Sequence, residues 1–284
     1  MVTAALANPA FAEDPLTFND STYGPWRSAQ IGGGGYVMNI VPTSDPAVYY
    51  VYTDVGGFYR SDDQGQTWRM VQGGLPAEDG NQQPRGVLVH PDDPDLILVA
   101  TGTHWDARRD GVFRSTDGGQ TYTHALEAAF AGNGNDRMWG TVLAVDPSDP
   151  DVVIAAAMQD GVYRSEDFGR SWSKVGLEGI NPSDLDFDQS VPGRVLLSAQ
   201  PYDFYLLGNP RTKLDGGLFE SLDSGKTWRQ LDGLAWTPYE IVQSPAVEPG
   251  VPSEWLGIFP PATVIKRSVD GGLTWQSYDD ALPI

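Results

Sequence analysis

Ser61-Asp62-Asp63-Gln64-Gly65-Gln66-Thr67-Trp68 decides the reading of this chain, because the phrase Ser-x-Asp-x-Gly-x-Thr-Trp returns four more times with small variations. The copies run from Ser115 to Tyr122, Ser165 to Trp172, Ser221 to Trp228 and Ser268 to Trp275, with Asp117, Asp167, Asp223 and Asp270 at the place of Asp63. An Asp in a tight hairpin accepts hydrogen bonds from backbone N–H groups a few residues on, and the following Gly supplies a backbone angle that other residues resist. The Ser and Thr hydroxyls add local bonds to the backbone, and the Trp or Tyr that opens the next strand buries a large ring. A turn repeated five times is a fold requirement, so these aspartates are expected to be structural staples and not metal or substrate ligands.

Successive aspartates of the phrase stand 54, 50, 56 and 47 residues apart. Each interval holds four short β-branched and aromatic runs separated by Gly, Pro and Asp turns, as in Tyr36 to Val41, Val48 to Thr53, Gly57 to Ser61 and Thr67 to Gln72. That is the length and content of a four-stranded propeller blade. The expectation is an all-β propeller over 20–284 with at least five blades, near 29–79, 80–131, 132–180, 181–234 and 235–284. His90-Pro91-Asp92-Asp93-Pro94-Asp95 and Asp146-Pro147-Ser148-Asp149-Pro150-Asp151 read as equivalent turns between first and second strands. Tyr23 to Ser28 looks like an outer strand that closes a ring, yet the fifth interval has its own fourth strand. Two readings follow, an unusual five-bladed ring or, favoured here, a truncated seven-bladed propeller.

The 284 residues are 40% hydrophobic, enough for a substantial core, and 38 acidic against 18 basic residues leave a net charge of −20. Such a charge argues against nucleic acid or an anionic membrane as partner and suits a neutral ligand such as a polysaccharide or oligosaccharide. With no cysteine there is no thiolate metal site, and with only His90, His104 and His124, dispersed along the chain, a His-rich metal centre has little to work with, so no cofactor is expected. Carboxylates must carry any hydrolytic chemistry. Residues 1–19 read as a signal remnant or flexible leader, with small residues at a cleavage site after Ala12, which points to a secreted or periplasmic bacterial protein.

Alternating connections put the repeated hairpins on one propeller face and the links from second to third strand, and from blade to blade, on the other. The second face gathers Gly32 to Gly35, Asp54 to Gly57, His104 to Asp110, Gly132 to Trp139, Gln159-Asp160 and Tyr202 to Tyr205. Trp105, Trp139, Tyr202 and Trp236 are candidate stacking platforms for sugar rings, with packing between blades the competing reading. Asp106, Asp110, Asp136, Asp160 and Asp203 read as solvated loop aspartates.

The repeated phrase resembles the Asp-box of bacterial-neuraminidase-type (BNR) repeats, shared by sialidases, sortilin-type receptors, photosystem assembly factors and glycanases. Ile31-Gly32-Gly33-Gly34-Gly35-Tyr36, Tyr52 to Arg60 with its Thr53-Asp54-Val55-Gly56-Gly57, and Gly132 to Pro147 are more specific. They are similar to the opening of family 74 glycoside hydrolases, the xyloglucanases and related endo-β-1,4-glucanases. The resemblance implies inverting hydrolysis of β-1,4-glucan or xyloglucan with Asp54 as general base, in a sialidase-like superfamily fold. It implies too a second propeller, absent here, that carries the general acid, and no residue of this chain matches that acid. An inverting pair stands roughly 6.5 to 9.5 Å apart with water between.

Two rivals remain. A non-catalytic propeller for glycan binding or protein assembly is favoured by the missing acid and opposed by Thr53 to Gly57. A sialidase is disfavoured because no Arg-Ile-Pro opening is present.

Overall fold

The computed structural model describes residues 31–32, 34–76, 83–102, 111–130, 140–204, 212–214, 216–231, 237–243, 254–259 and 264–278. Among these every regular element is a β-strand. Blade 1 comprises β1 (Val37–Pro42), β2 (Tyr49–Thr53), β3 (Phe58–Ser61) and β4 (Arg69–Met70). Blade 2 comprises β5 (Pro84–His90), β6 (Asp93–Thr101), β7 (Gly111–Ser115) and β8 (Thr123–Glu127). Blade 3 comprises β9 (Leu143–Asp146), β10 (Asp149–Ala157), β11 (Gly161–Ser165) and β12 (Ser173–Gly176). Blade 4 follows with β13 (Pro182–Phe187), β14 (Val195–Ala199), a ribbon of β15 (Tyr202–Phe204) and β16 (Thr212–Leu214), then β17 (Gly217–Ser221) and β18 (Arg229–Leu231). Blade 5 comprises β19 (Glu240–Gln243), β20 (Trp255–Phe259), β21 (Val264–Ser268) and β22 (Gln276–Ser277).

Each blade is an antiparallel sheet in chain order, with the β15–β16 ribbon set apart as a sheet of its own in the link between the second and third strands of blade 4. The innermost strands β1, β5, β9, β13 and β19 touch one another in that order. The five four-stranded blades expected from the repeat are therefore the five found.

The second strands of blades 2 and 3 lie between two neighbouring blades and are apolar on both faces. Leu96 to Ala100 and Val152 to Ala157 are continuous apolar runs for that reason, and Ile97, Leu98, Val99 and Ala100 are all fully buried. Four apolar clusters fill the seams between consecutive blades, around Tyr50 and Phe113, Leu98 and Phe168, Ile154 and Phe187, and Leu196 with Trp255.

All five Asp-boxes close as the sequence predicts. In the first, Ser61 Oγ donates to Asp63 Oδ1 at 2.8 Å, Gly65 N–H donates to Ser61 Oγ at 2.8 Å, and Thr67 gives its N–H and hydroxyl to Asp63 at 2.8 and 2.6 Å. Trp68 Nε1 then donates to the Gly65 carbonyl at 3.0 Å. The same bonds recur at Asp117, Asp167, Asp223 and Asp270, except that Tyr122 in blade 2 donates to Val71 O of blade 1 instead. The residue after the Asp and the Gly that follows both adopt positive φ: 62° and 81° at Gln64 and Gly65, 55° and 81° at Ser224 and Gly225.

The boxes of blades 2 to 5 also lock onto the preceding blade. Arg114 Nε of blade 2 donates to Phe168 O of the third box at 2.9 Å, and Arg164 Nε of blade 3 to Ser224 O of the fourth at 2.7 Å. Arg60 of blade 1 packs on Gly118 of the second box. Blade 4 has Glu220 where the others have Arg, and the clasp is rebuilt from another strand. Arg194, just before β14, donates to Glu220 at 2.8 Å, to Asp188 at 2.8 Å and to Gly271 O of the fifth box.

Candidate active site

Asp54 follows β2 at the link to the third strand, the face opposite the Asp-boxes. The residue is 7% exposed, and its Oδ1 accepts the Tyr36 N–H at 2.7 Å while the Asp54 N–H donates to the Tyr36 carbonyl at 3.0 Å. The turn beyond it is closed from within: Gly56 N–H donates to Thr53 Oγ1 at 2.8 Å, and Tyr59 OH donates to Gly56 O at 2.7 Å.

The glycines around Asp54 are required by contact. A Cβ on Gly56 would overlap the Gly34 carbonyl oxygen, and one on Gly35, where φ is +102°, would stand 2.5 Å from Asp54 Oδ1. The glycine run and the Thr53 to Gly57 turn thus pack backbone to backbone, which explains why both motifs occur in one chain. The result is a carboxylate of fixed direction beside a stretch of glycine backbone, an arrangement able to orient a water against a sugar brought close to the backbone.

A second polar group joins the innermost strands of several blades. Arg85, buried at the start of β5, donates to Gly140 O before β9 and to Ser183 O on β13, the latter at 3.1 Å, so one guanidinium ties three blades. Asp184 is packed against Gly140 and accepts the Ile241 N–H of blade 5 at 2.7 Å and the Leu185 N–H at 3.0 Å. Burial holds the Asp184 carboxyl well above the usual carboxylate range, pushes Asp186 up to about 7, and raises Glu240. Tyr52, two residues before Asp54, is buried at the same centre, where its hydroxyl is raised by burial and feels Arg85, Asp184 and Glu240. Sequence reasoning singled out none of these residues. The available signal was the charge on otherwise apolar inner strands, at Arg85, Asp184, Asp186 and Glu240.

Of the other expected site residues, Trp105, Trp139 and Trp236 lie outside the described residues, as do Asp106, Asp110 and Asp136. Tyr202 and Asp203 open the β15–β16 ribbon, paired with Leu214 and Lys213. Asp160 is half-buried and accepts the Ala129 N–H at 3.1 Å, a link between blades 2 and 3 where free solvation was expected.

The BNR/Asp-box repeat profile matches residues 59–70, and a BNR-Asp box repeat profile matches 162–175. The chain is 29% identical over 286 residues to a xyloglucanase of Paenibacillus sp, covering 97% of this chain and 24% of that protein. It is 26% identical over 293 residues to a xyloglucanase of Acetivibrio thermocellus, covering 98% and 29%. The chain thus spans about a quarter of the length of these relatives. The GH74 enzyme of Niastella koreensis superposes with a TM-score of 0.67 at 21% identity over 88% of this chain and 38% of that one, a likeness of fold. The chain is a glycoside hydrolase-like Asp-box propeller similar to those of family 74.

Proposed function

We propose that this propeller carries the water-activating half of an inverting endo-glycanase acting on β-1,4-glucan or xyloglucan, with Asp54 as general base. The observation that carries the reading is the Tyr36–Asp54 pair, which fixes the direction of a buried carboxylate beside a stretch of glycine backbone. Chemistry supports it: inversion needs one carboxylate to take a proton from water and a second, protonated, roughly 6.5–9.5 Å away to protonate the leaving oxygen. The acid comes from a second propeller facing this one, across a cleft in which the glucan lies. A polymer of this kind does not cross a membrane, so the reading goes with an exported protein. The names of the relatives support xyloglucan as the first substrate to try.

The test is reducing-end release from xyloglucan and mixed-linkage β-glucan by the chain joined to or mixed with a facing propeller, with Asp54→Asn as comparison. Loss of release in that variant with polysaccharide binding retained supports the base. Equal release from both proteins overturns it. Binding without release from any combination favours the non-catalytic glycan-binding propeller.

A further inference from the structure

Arg60, Arg114 and Arg164 each precede a box Ser, and each reaches the box of the next blade. A guanidinium keeps its charge at every ordinary pH, so one drawn into a seam is normally balanced by an anion. Two of the three find theirs within the chain. Asp62 takes Arg60 Nε at 2.6 Å and Arg69 Nε at 3.3 Å, and Glu166 takes Arg164 Nη1 at 2.5 Å. Both acids stand two residues after their arginine. In blade 2 that place is held by Thr116.

Arg114 is left without such a balance. It is half-buried, its Nε donates to Phe168 O at 2.9 Å, and among the described residues no carboxylate pairs with it. Asp167 is close enough to be felt, but its oxygens are engaged by Ser165 and by the N–H and hydroxyl of Ser171. Arg170, three residues past Asp167 in the third box, brings a second guanidinium, exposed and likewise unpaired among the described residues. Burial and the like charge of Arg170 hold the Arg114 guanidinium below its usual range.

The next groove round shows the room available. Between blades 3 and 4 a cleft of about 200 Å³ is lined by Arg164, Glu166, Ser171, Ser173, Val175 and Lys226. Arg114, Thr116, Thr121, Thr123, Ala125 and Arg170 hold the same places between blades 2 and 3, with Arg114 paired to Thr123 as Arg164 is to Ser173. Glu becomes Thr and Val becomes Ala. The second set therefore has two smaller side chains and both cations, but not the carboxylate. Blades 2 and 3 are flanked by blades 1 and 4, so this groove is internal to the chain.

We propose that the groove between blades 2 and 3 binds the carboxylate of an acidic sugar, held by Arg114 and Arg170 at the place that Asp62 and Glu166 fill in the neighbouring grooves. A planar carboxylate meets a guanidinium through two parallel N–H groups, which favours it over a spherical anion. Thr116, Thr121 and Thr123 are exposed beside it, with hydroxyls able to bond those of a sugar. A net charge of −20 works against a densely charged polyanion, so the ligand is a largely neutral glycan with scattered uronate groups. The choice of a sugar acid rests on the glycan reading proposed above, whereas the need for an anion does not. The groove lies on the face opposite Asp54 and holds the polymer outside the reacting cleft.

The experiment is an NMR titration of the isotope-labelled full chain with methyl glucuronide, methyl glucoside and acetate at low salt. It is repeated on Arg170→Ala, on Thr116→Glu, which gives blade 2 the acid that blade 3 has, and on Lys226→Ala in the next groove. All three positions are exposed, and unchanged amide signals away from the groove would show that the fold stands. Glucuronide is expected to shift signals around Arg114 and Arg170, and glucoside to bind roughly tenfold or more weakly. Arg170→Ala and Thr116→Glu are each expected to weaken glucuronide roughly tenfold, and Lys226→Ala to leave it unchanged. Absence of glucuronide binding, glucoside bound equally well, or indifference to Arg170→Ala and Thr116→Glu overturns the proposal. Acetate bound as tightly as glucuronide reduces the groove to a simple anion site and overturns the sugar assignment. Reducing-end release through Asp54 is measured apart, at the other face, so failure of either result leaves the other standing.

Discussion

Tyr36 and Asp54 exchange two hydrogen bonds, N–H to carboxylate at 2.7 Å and N–H to carbonyl at 3.0 Å, across the entry to β1 and the exit from β2. The proposed base is therefore held by backbone, not by a mobile side chain, and its direction depends on a neighbour with no side chain at all. Gly35 stands where any Cβ would press on Asp54 Oδ1.

Gly35→Ala is expected to displace the carboxylate, since the added carbon would lie 2.5 Å from Oδ1 at a φ of +102° that alanine resists. A shift of order an ångström at a reacting group costs about a hundredfold in rate. Asp54→Ala removes the acceptor for a part-buried N–H as well, and is expected to cost about 1–3 kcal/mol in urea unfolding. Turnover of xyloglucan oligosaccharides by the assembled two-propeller enzyme, beside those unfolding midpoints, separates the two effects. Unchanged turnover in Gly35→Ala would count against Asp54 as the base.

Arg194 does for blade 4 what strand-borne arginines do for blades 1 to 3, but with two buried carboxylates attached, Asp188 at 0% and Glu220 at 4% side-chain exposure. Removing it takes a guanidinium from both buried carboxylates, although Glu220 keeps Arg229 and Asp188 keeps hydrogen bonds from Ser190 and Gln243, so Arg194→Ala is expected to cost about 3 kcal/mol, the lower end for a broken buried pair. Arg164→Ala breaks one hydrogen bond to a carbonyl, with its carboxylate partner Glu166 out in solvent, and is expected to cost about 1.5–3 kcal/mol. Equilibrium urea denaturation of the two variants checks the order.

The pH dependence of stability has two opposed limbs. Asp63 is held below the usual carboxylate range by the hydroxyl and N–H of Thr67, and Asp117 falls to about 2 because its hydrogen bonds outweigh the upward push of burial. Such groups stabilise the fold fully above the unfolded value near pH 4 and lose that contribution as pH falls through the folded value. Asp184, Asp186 and Glu240 are raised by burial, so the folded state binds more protons than the unfolded chain between about pH 4 and, for Asp186, about 7. Stability is therefore lost as pH rises through that interval. Urea midpoints are expected to peak in mildly acidic buffer and decline on both sides, and Asp186→Asn to flatten the decline toward neutral pH while leaving the acid limb in place.

The five Asp-boxes were legible because each is a local device whose bonds span four residues, so sequence spacing carries the whole structure. The turn at Asp54 was legible as a motif, but the reason for its glycines was not, since Gly34 meets Gly56 only after two strands pair. The cluster around Arg85 was illegible for the same reason at longer range: Arg85 reaches Ser183 across 98 positions of sequence. Blade 4's substituted clasp left a readable trace. Arg precedes the box Ser at positions 60, 114, 164 and 267, and Glu220 breaks the series. The break announces that another residue must supply the cation, though only the fold shows that Arg194 does.

Gly65 and Gly225 isolate the worth of a seam from the worth of a turn. Both have φ of +81° in the same position of the same hairpin, so replacing either by alanine carries the same backbone penalty, about 1 kcal/mol. The new methyl differs in what it meets. At Gly65 it finds the Trp68 ring at 3.5 Å, an ordinary contact, whereas at Gly225 it would overlap Ile154 Cδ1 in the packed seam between blades 3 and 4. Overpacking of that kind costs a further 1–3 kcal/mol or so. In dilute solution Gly225→Ala is therefore expected to unfold at clearly lower urea than Gly65→Ala. Equal midpoints would mean that the seam yields freely and that the Asp-boxes hold the blades together far less than their burial suggests.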